Sequence, residues 1–144
     1  MAFPKPKPKK KTTLTVTKVQ KAFNEAIRAR DQRCTIDHGQ CSGNLECSHF
    51  FPVGANSTLR FYPLNAYTQC SSAHFEHHDR NPLLYVNWMK ANHYDDIEWM
   101  QSVRGKASIR YNQSTLKDIL DMCNRGHLEH LTLYIEELNG GRVK

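Results

Sequence analysis

At 144 residues, with 24% charged and 39% hydrophobic side chains, the chain can build one modest core but not two ordinary domains. No stretch approaches the roughly 18 consecutive apolar residues of a membrane-spanning helix, and no apolar run follows the basic N-terminus, so neither a membrane partner nor a secretory signal is expected. The net charge of +6 is accounted for by Lys5, Lys7, Lys9, Lys10, Lys11 and Lys18, and the rest of the chain balances its cations against its 14 acids. Affinity for nucleic acid must therefore come from that segment and from clustered arginines, not from a uniformly basic body.

Residues 1–16, opening on MAFPKPKPKKKTT, are expected to form a disordered basic tail, because proline stiffens the chain and like charges repel. Residues 17–144 then form a single domain. From Thr17 to about Arg30, Val19, Ala22, Phe23, Ala26 and Ile27 recur at helical spacing. A loop from Cys34 to Gly43 leads to an alternating strand, with Leu45, Cys47, His49 and Phe51 on one face. Pro52 to Thr58 reads as a loop and Arg60 to Tyr62 as a short return strand. A helix beginning near Asn65 would carry Cys70, His74 and His78.

The remainder is helical in pattern. Pro82 suits the first turn of a helix bearing Leu84, Trp88 and Ala91, and a second covers Asp95 to Val103. Ser114 is the expected N-cap for Leu116, Ile119, Leu120 and Cys123, and Gly126 ends that helix. His127 to Leu138 sets Leu128, Leu131, Ile135 and Leu138 on one stripe before Asn139-Gly140-Gly141. There is no internal repeat.

Five cysteines, an odd number, argue against a disulfide scaffold. Cys34, Cys41, Cys47 and Cys70 fall within 37 residues, the 45 from Cys34 to His78 also hold His38, His49, His74, His77 and His78, and thiolate and imidazole are the ligands zinc prefers. Cys123 belongs to an apolar stripe. His74 and His78, four apart on a helix, point to one side and can grip one ion. A hairpin packed on that helix would place His49 opposite them. There it can deprotonate a water while the ion stabilises phosphate charge and the leaving oxygen.

His49, Asn65 and His74 or His78 follow the order and spacing of the His-Asn-His, or ββα-metal, nucleases: nine and thirteen residues separate the two helical histidines from Asn65. A narrower resemblance covers residues 19–92. Phe23, the run Ile27-Arg28-Ala29-Arg30-Asp31 before Cys34, Leu45 to Phe51, Leu59-Arg60-Phe61, Asn65, Gln69-Cys70, and Asn81-Pro82 to Trp88 are similar to the phage NinG/Rap recombination proteins. The resemblance implies a phage protein of the infected bacterial cytoplasm that acts on DNA, branched DNA included. It makes His49 the general base and Asn65 the brace of the hairpin loop. It also implies that His74 and His78 hold a catalytic Mg, Mn or Zn ion.

Two positions depart from that pattern. The residue before the base is usually Asp or His, a third ligand, and here it is Ser48. The family's paired Cys-x-x-Cys knuckles are each reduced to one cysteine, with Asp37 and Ala73 in the second places. A structural zinc is therefore assigned to Cys34, Cys41 and Cys70, its fourth ligand left open between His38 and Cys47. Core packing is the simpler role for Cys47, and Trp88 and Trp99 read as packing aromatics. Arg28, Arg30, Arg60 and Arg80, with Lys9, Lys10 and Lys11, are the expected phosphate contacts.

The expected fold is α+β: a ββα-metal unit over about residues 34–80, packed against the entry helix and a helical C-terminal part over about 82–139. The expected activity is metal-dependent hydrolysis of DNA phosphodiesters. Ser48 keeps a second reading open, a zinc-stabilised DNA-binding recombination accessory without cleavage. A plain zinc module for protein contacts fits the basic tail less well. A homodimer is left open, since symmetric cutting of a four-way junction needs two active sites.

Overall fold

The computed structural model describes residues 2–8, 13–36, 39, 41–54, 57–76, 81–106 and 109–143. Among them are six α-helices and one two-stranded antiparallel sheet, a mixed α+β fold. Helix α1 spans Val16–Asp31, β1 Leu45–His49, β2 Ala66–Cys70, α2 Ser71–Phe75, α3 Leu83–Asn92, α4 Tyr94–Arg104, α5 Gln113–Arg125 and α6 Leu128–Leu138. No helix among the described residues is long and apolar enough to cross a membrane.

Helix α1 starts where the Thr15 side chain accepts a bond from the Lys18 N–H, and it stops at Gln32, whose left-handed backbone (φ 59°) returns its N–H to Arg28. Its buried stripe, Val19, Phe23, Ala26 and Ile27, lies over one face of the hairpin and also meets α5. Strands β1 and β2 pair from Leu45 opposite Cys70 to His49 opposite Ala66. Helix α3 covers the other face: the Tyr85 hydroxyl donates to the Ser48 carbonyl at 2.9 Å, and Trp88 packs edge-on against Tyr67 at 4.9 Å.

The return strand is not Arg60–Tyr62. Those residues form a turn whose Phe61 and Tyr62 are buried, and Pro63–Asn65 is a short 3-10 turn leading into β2. All five residues of β2 are buried because elements cover both sides of the hairpin, so no polar–apolar alternation marks it in the sequence. The helix does not begin near Asn65 either. It starts at Ser71, and Cys70 is its N-cap, the sulfur accepting from the Ala73 N–H. Asn112, not Ser114, caps α5, its side chain accepting from Thr115 N.

One core runs from Val19 through Phe61, Tyr85 and Met100 to Ile135. The C-terminal helices close over it with a buried ionic network. Tyr62 donates to the buried Glu136 carboxylate at 2.6 Å, and Arg142 donates to the Tyr62 hydroxyl at 3.1 Å and pairs with Asp96 at 2.8 Å. A buried carboxylate persists only when paired in this way. The network also fixes Tyr62, whose carbonyl accepts from Asn65 N at 2.9 Å.

Candidate metal centre and active site

At one end of the hairpin the loop after α1 folds back on the start of α2. Ser71 N donates to Asn44 O at 2.9 Å and Ser72 N to Ser42 O at 3.2 Å. This places the sulfurs of Cys34, Cys41 and Cys70 within 4.8 Å of one another, the spacing that ligands of one tetrahedral zinc require. Among the described residues this is the one group of three or more metal-ligating side chains, and all three thiols are free of disulfides. Desolvation and then the neighbouring Cys34 and Cys70 push the Cys41 thiol up to about 12. Cys70 moves the other way: burial raises it, but N–H bonds from Ala73 and Ser42 and the adjacent thiols outweigh that and favour its thiolate. Three thiols so close resist joint ionisation unless a cation joins them, so the donor set fits zinc.

Cys47 stands outside this group. It is largely buried toward α1 near Arg30, Arg28 and Asp31, and burial pushes its thiol up to about 12. The other candidate fourth ligand, His38, lies outside the described residues, as do His77, His78, Arg80, Lys9, Lys10 and Lys11.

The opposite end of the hairpin holds His49 and Asn65. Asn65 is fully buried; its Oδ1 accepts from Phe51 N at 2.8 Å, and its Nδ2 donates to Phe51 O at 3.1 Å and Leu59 O at 3.3 Å. Its own carbonyl accepts from Phe50 N at 2.8 Å. One amide thus ties the two residues that follow β1 to the turn that precedes β2. His49 stacks on Phe23 of α1, ring centroids 5.8 Å apart. Burial lowers its pKa to about 4, against a hydrogen bond that the ring donates to the Arg60 backbone, which raises it, while the charges of Arg60 and His74 lower it further. The imidazole is therefore neutral at neutral pH. Its Nε2 is enclosed and has no hydrogen-bond partner among the described residues.

His74, on α2, lies within electrostatic reach of His49, but its Nδ1 meets the Glu46 carboxylate at 3.2 Å. Glu46 was not singled out from the sequence. The available signal was strand alternation, which sets it on the face of β1 shared with Ser48. Ser48 is fully buried and its hydroxyl has no partner among the described residues.

Two of the predicted phosphate contacts, Arg28 and Arg60, line a groove of about 390 Å³ along α1 with Thr17, Gln20, Lys21, Asn24 and Glu25. Arg30 is engaged within the protein: it donates to Pro63 O at 3.0 Å and Ala66 O at 2.8 Å, pairs with Asp31 at 2.7 Å and lies over the Tyr67 ring. Asp31 in turn accepts from Thr68 N at 2.8 Å, so the end of α1 clamps the start of β2.

These features define an α+β protein with a three-thiol cluster able to hold a metal at one end of a buried hairpin and a histidine–asparagine pair at the other. A family model described as Bacteriophage Lambda NinG protein matches residues 4–131, and the chain belongs to that family. The family implies a phage protein related to recombination, and the three close cysteines can hold a metal such as zinc. Nothing matches among the curated proteins, and nothing among the solved structures.

Proposed function

We propose that the chain is a metal-dependent DNA endonuclease of the His-Asn-His class, its ββα-metal unit formed by β1, β2 and α2, acting in phage recombination on branched DNA. The observation that carries this reading is the state of His49. It is a neutral imidazole at the end of a strand pinned by Asn65, one nitrogen engaged by the Arg60 backbone and the other without a protein donor. Such a nitrogen has the lone pair that a general base uses to deprotonate a water. The same backbone bond sets the tautomer, so the free nitrogen carries the lone pair. His74, with His78 beyond the described residues, would hold a divalent cation. When bound, that ion supplies stabilisation of the phosphate charge and of the leaving oxygen. The thiol cluster keeps the hairpin and α2 in register, and the groove lined by Lys21, Arg28 and Arg60 offers a path for a phosphate backbone.

A second reading, a zinc-stabilised DNA-binding accessory without cleavage, is favoured by Ser48 alone, which is inward-facing and offers an ion no charge. Incubation with branched and linear DNA, with and without Mg²⁺ or Mn²⁺, separates the two. Cleavage that needs the cation, and that falls at least about a hundredfold in His49→Ala with DNA binding retained, supports the enzyme. Binding without cleavage of any substrate supports the accessory.

A further inference from the structure

The unexplained contact in this part of the molecule is between Glu46 and His74. Two residues 28 apart in sequence, one on a strand and one on a helix, meet at 3.2 Å between Oε1 and Nδ1. Neither is free to wander. Glu46 sits opposite Gln69 in the strand register, and α2 is held at its first turn by the Cys70 cap and by the Ser71 bonds to Asn44. Their side chains are 46% and 24% exposed, so an ion from solution can reach them. A half-exposed contact of this kind contributes little to stability. Its placement therefore has more to explain than folding does.

Resting on the reading of His74 as a metal ligand, we propose that Glu46 is the positioning residue of that imidazole. The carboxylate accepts the hydrogen bond of Nδ1–H, fixes the tautomer and ring orientation, and assigns Nε2 to the cation. Carboxylate–histidine pairs tune metal ligands in this way: the anion raises the basicity of the nitrogen that binds. The position also answers the departure at Ser48. Residues 46 and 48 share one face of β1, and Ser48 is turned into the core. The negative charge missing at 48 is supplied two residues earlier, through His74.

The full-length protein, with its zinc retained, tests this on two readouts. Mn²⁺ does not displace zinc from thiolates, so its binding followed by paramagnetic resonance reports the nitrogen–oxygen site. Long-range nitrogen–proton correlation spectra of the metal-free active site report the His74 tautomer, the resonance being assigned with His74→Ala. In the parent, His74 should carry its proton on Nδ1. Glu46→Ala should return it to the Nε2–H form that free imidazole prefers and weaken Mn²⁺ binding about 10- to 100-fold. Glu46→Gln, which keeps an acceptor oxygen without the charge, should hold the tautomer and lose less affinity. It carries the test if Glu46→Ala does not fold. A merely structural contact would shift the melting temperature and leave tautomer and affinity alone, and that result overturns the proposal. If His74→Ala weakens Mn²⁺ binding and the Glu46 variants do not, the proposal alone fails. If His74→Ala binds Mn²⁺ like the parent, the metal-site reading fails with it.

Discussion

The two ends of the hairpin are secured by different chemistry. At the Leu45–Cys70 end, three thiols from a loop and a strand meet in a cluster that can hold a cation such as zinc. At the His49–Ala66 end, everything is encoded in the chain: one buried amide, Asn65, satisfies Phe51 on both sides and Leu59 on one, and Arg30 and Tyr62 hold the turn around it. A cation held there would make the first end conditional on metal and redox state, whereas the second depends on nothing outside the protein. A site that must keep a base in place is better built at the second.

This contrast can be broken most severely at the thiol end. Elemental analysis of folded, chelator-washed protein should find close to one zinc per chain. Stripping it, or changing Cys34→Ser or Cys70→Ser, should unfold the hairpin, because structural zinc contributes on the order of 10 kcal/mol in small domains. Metal-free protein melting cooperatively at the parent temperature would refute the conditional end. At the other end, Asn65→Ala strands the Phe51 N–H and two carbonyls in a dry interior. At about 1–3 kcal/mol for each group, urea unfolding should show a loss of at least about 3 kcal/mol with the zinc still bound. A loss below about 1 kcal/mol would mean that Asn65 is not the brace.

The acid response should come from the His49 end. His49 titrates near 4 when folded and near 6.5 when unfolded, so its contribution is fully present above pH 6.5 and is lost as pH falls toward 4. Between those values the unfolded chain binds a proton that the folded chain refuses, a loss of up to about 3 kcal/mol. His49→Gln should flatten that part of the stability profile. A parent and variant that lose stability in parallel from pH 6.5 to 4 would place the acid sensitivity elsewhere.

What was legible in the sequence follows the same division. Helix α1 and the C-terminal helices were readable because each buries one stripe at 3.6-residue spacing, and the three thiols were readable because cysteine crowding survives any error in secondary structure. Strand β2 was not, because with both faces covered Ala66–Cys70 has no alternation to find, and Pro63 and Tyr62 resembled a strand-to-helix junction. That error put Cys70 on a helix instead of at its cap, yet left the cysteine cluster intact. Arg30 read as a surface cation because its carbonyl partners, Pro63 and Ala66, are distant in sequence. Glu46 was overlooked for the opposite reason: a single acid on a half-exposed strand carries no signal until the fold brings His74 to it.

The smallest test sharpens the thiol end from within. Gly39 and Gly43 both adopt left-handed backbone, φ 81° and 83°, in the loop between Cys34 and β1. A Cβ added at Gly39 meets nothing within 4 Å, so Gly39→Ala should cost only the backbone strain, about 1–2 kcal/mol. At Gly43 the same atom would lie 2.8 Å from Ser71 Cβ and 2.9 Å from its Oγ, the hydroxyl that donates to Asn44 O. Ser71 follows Cys70 directly, so the clash acts on the ligand-bearing cap of α2. Gly43→Ala should therefore be the more destabilising of the two by about 1 kcal/mol or more, the range of overpacking, and it alone should lower zinc affinity in a chelator competition. Equal costs and equal zinc affinities would mean that the loop adapts freely, and that the three sulfurs, not the Gly43–Ser71 contact, set the geometry of that end.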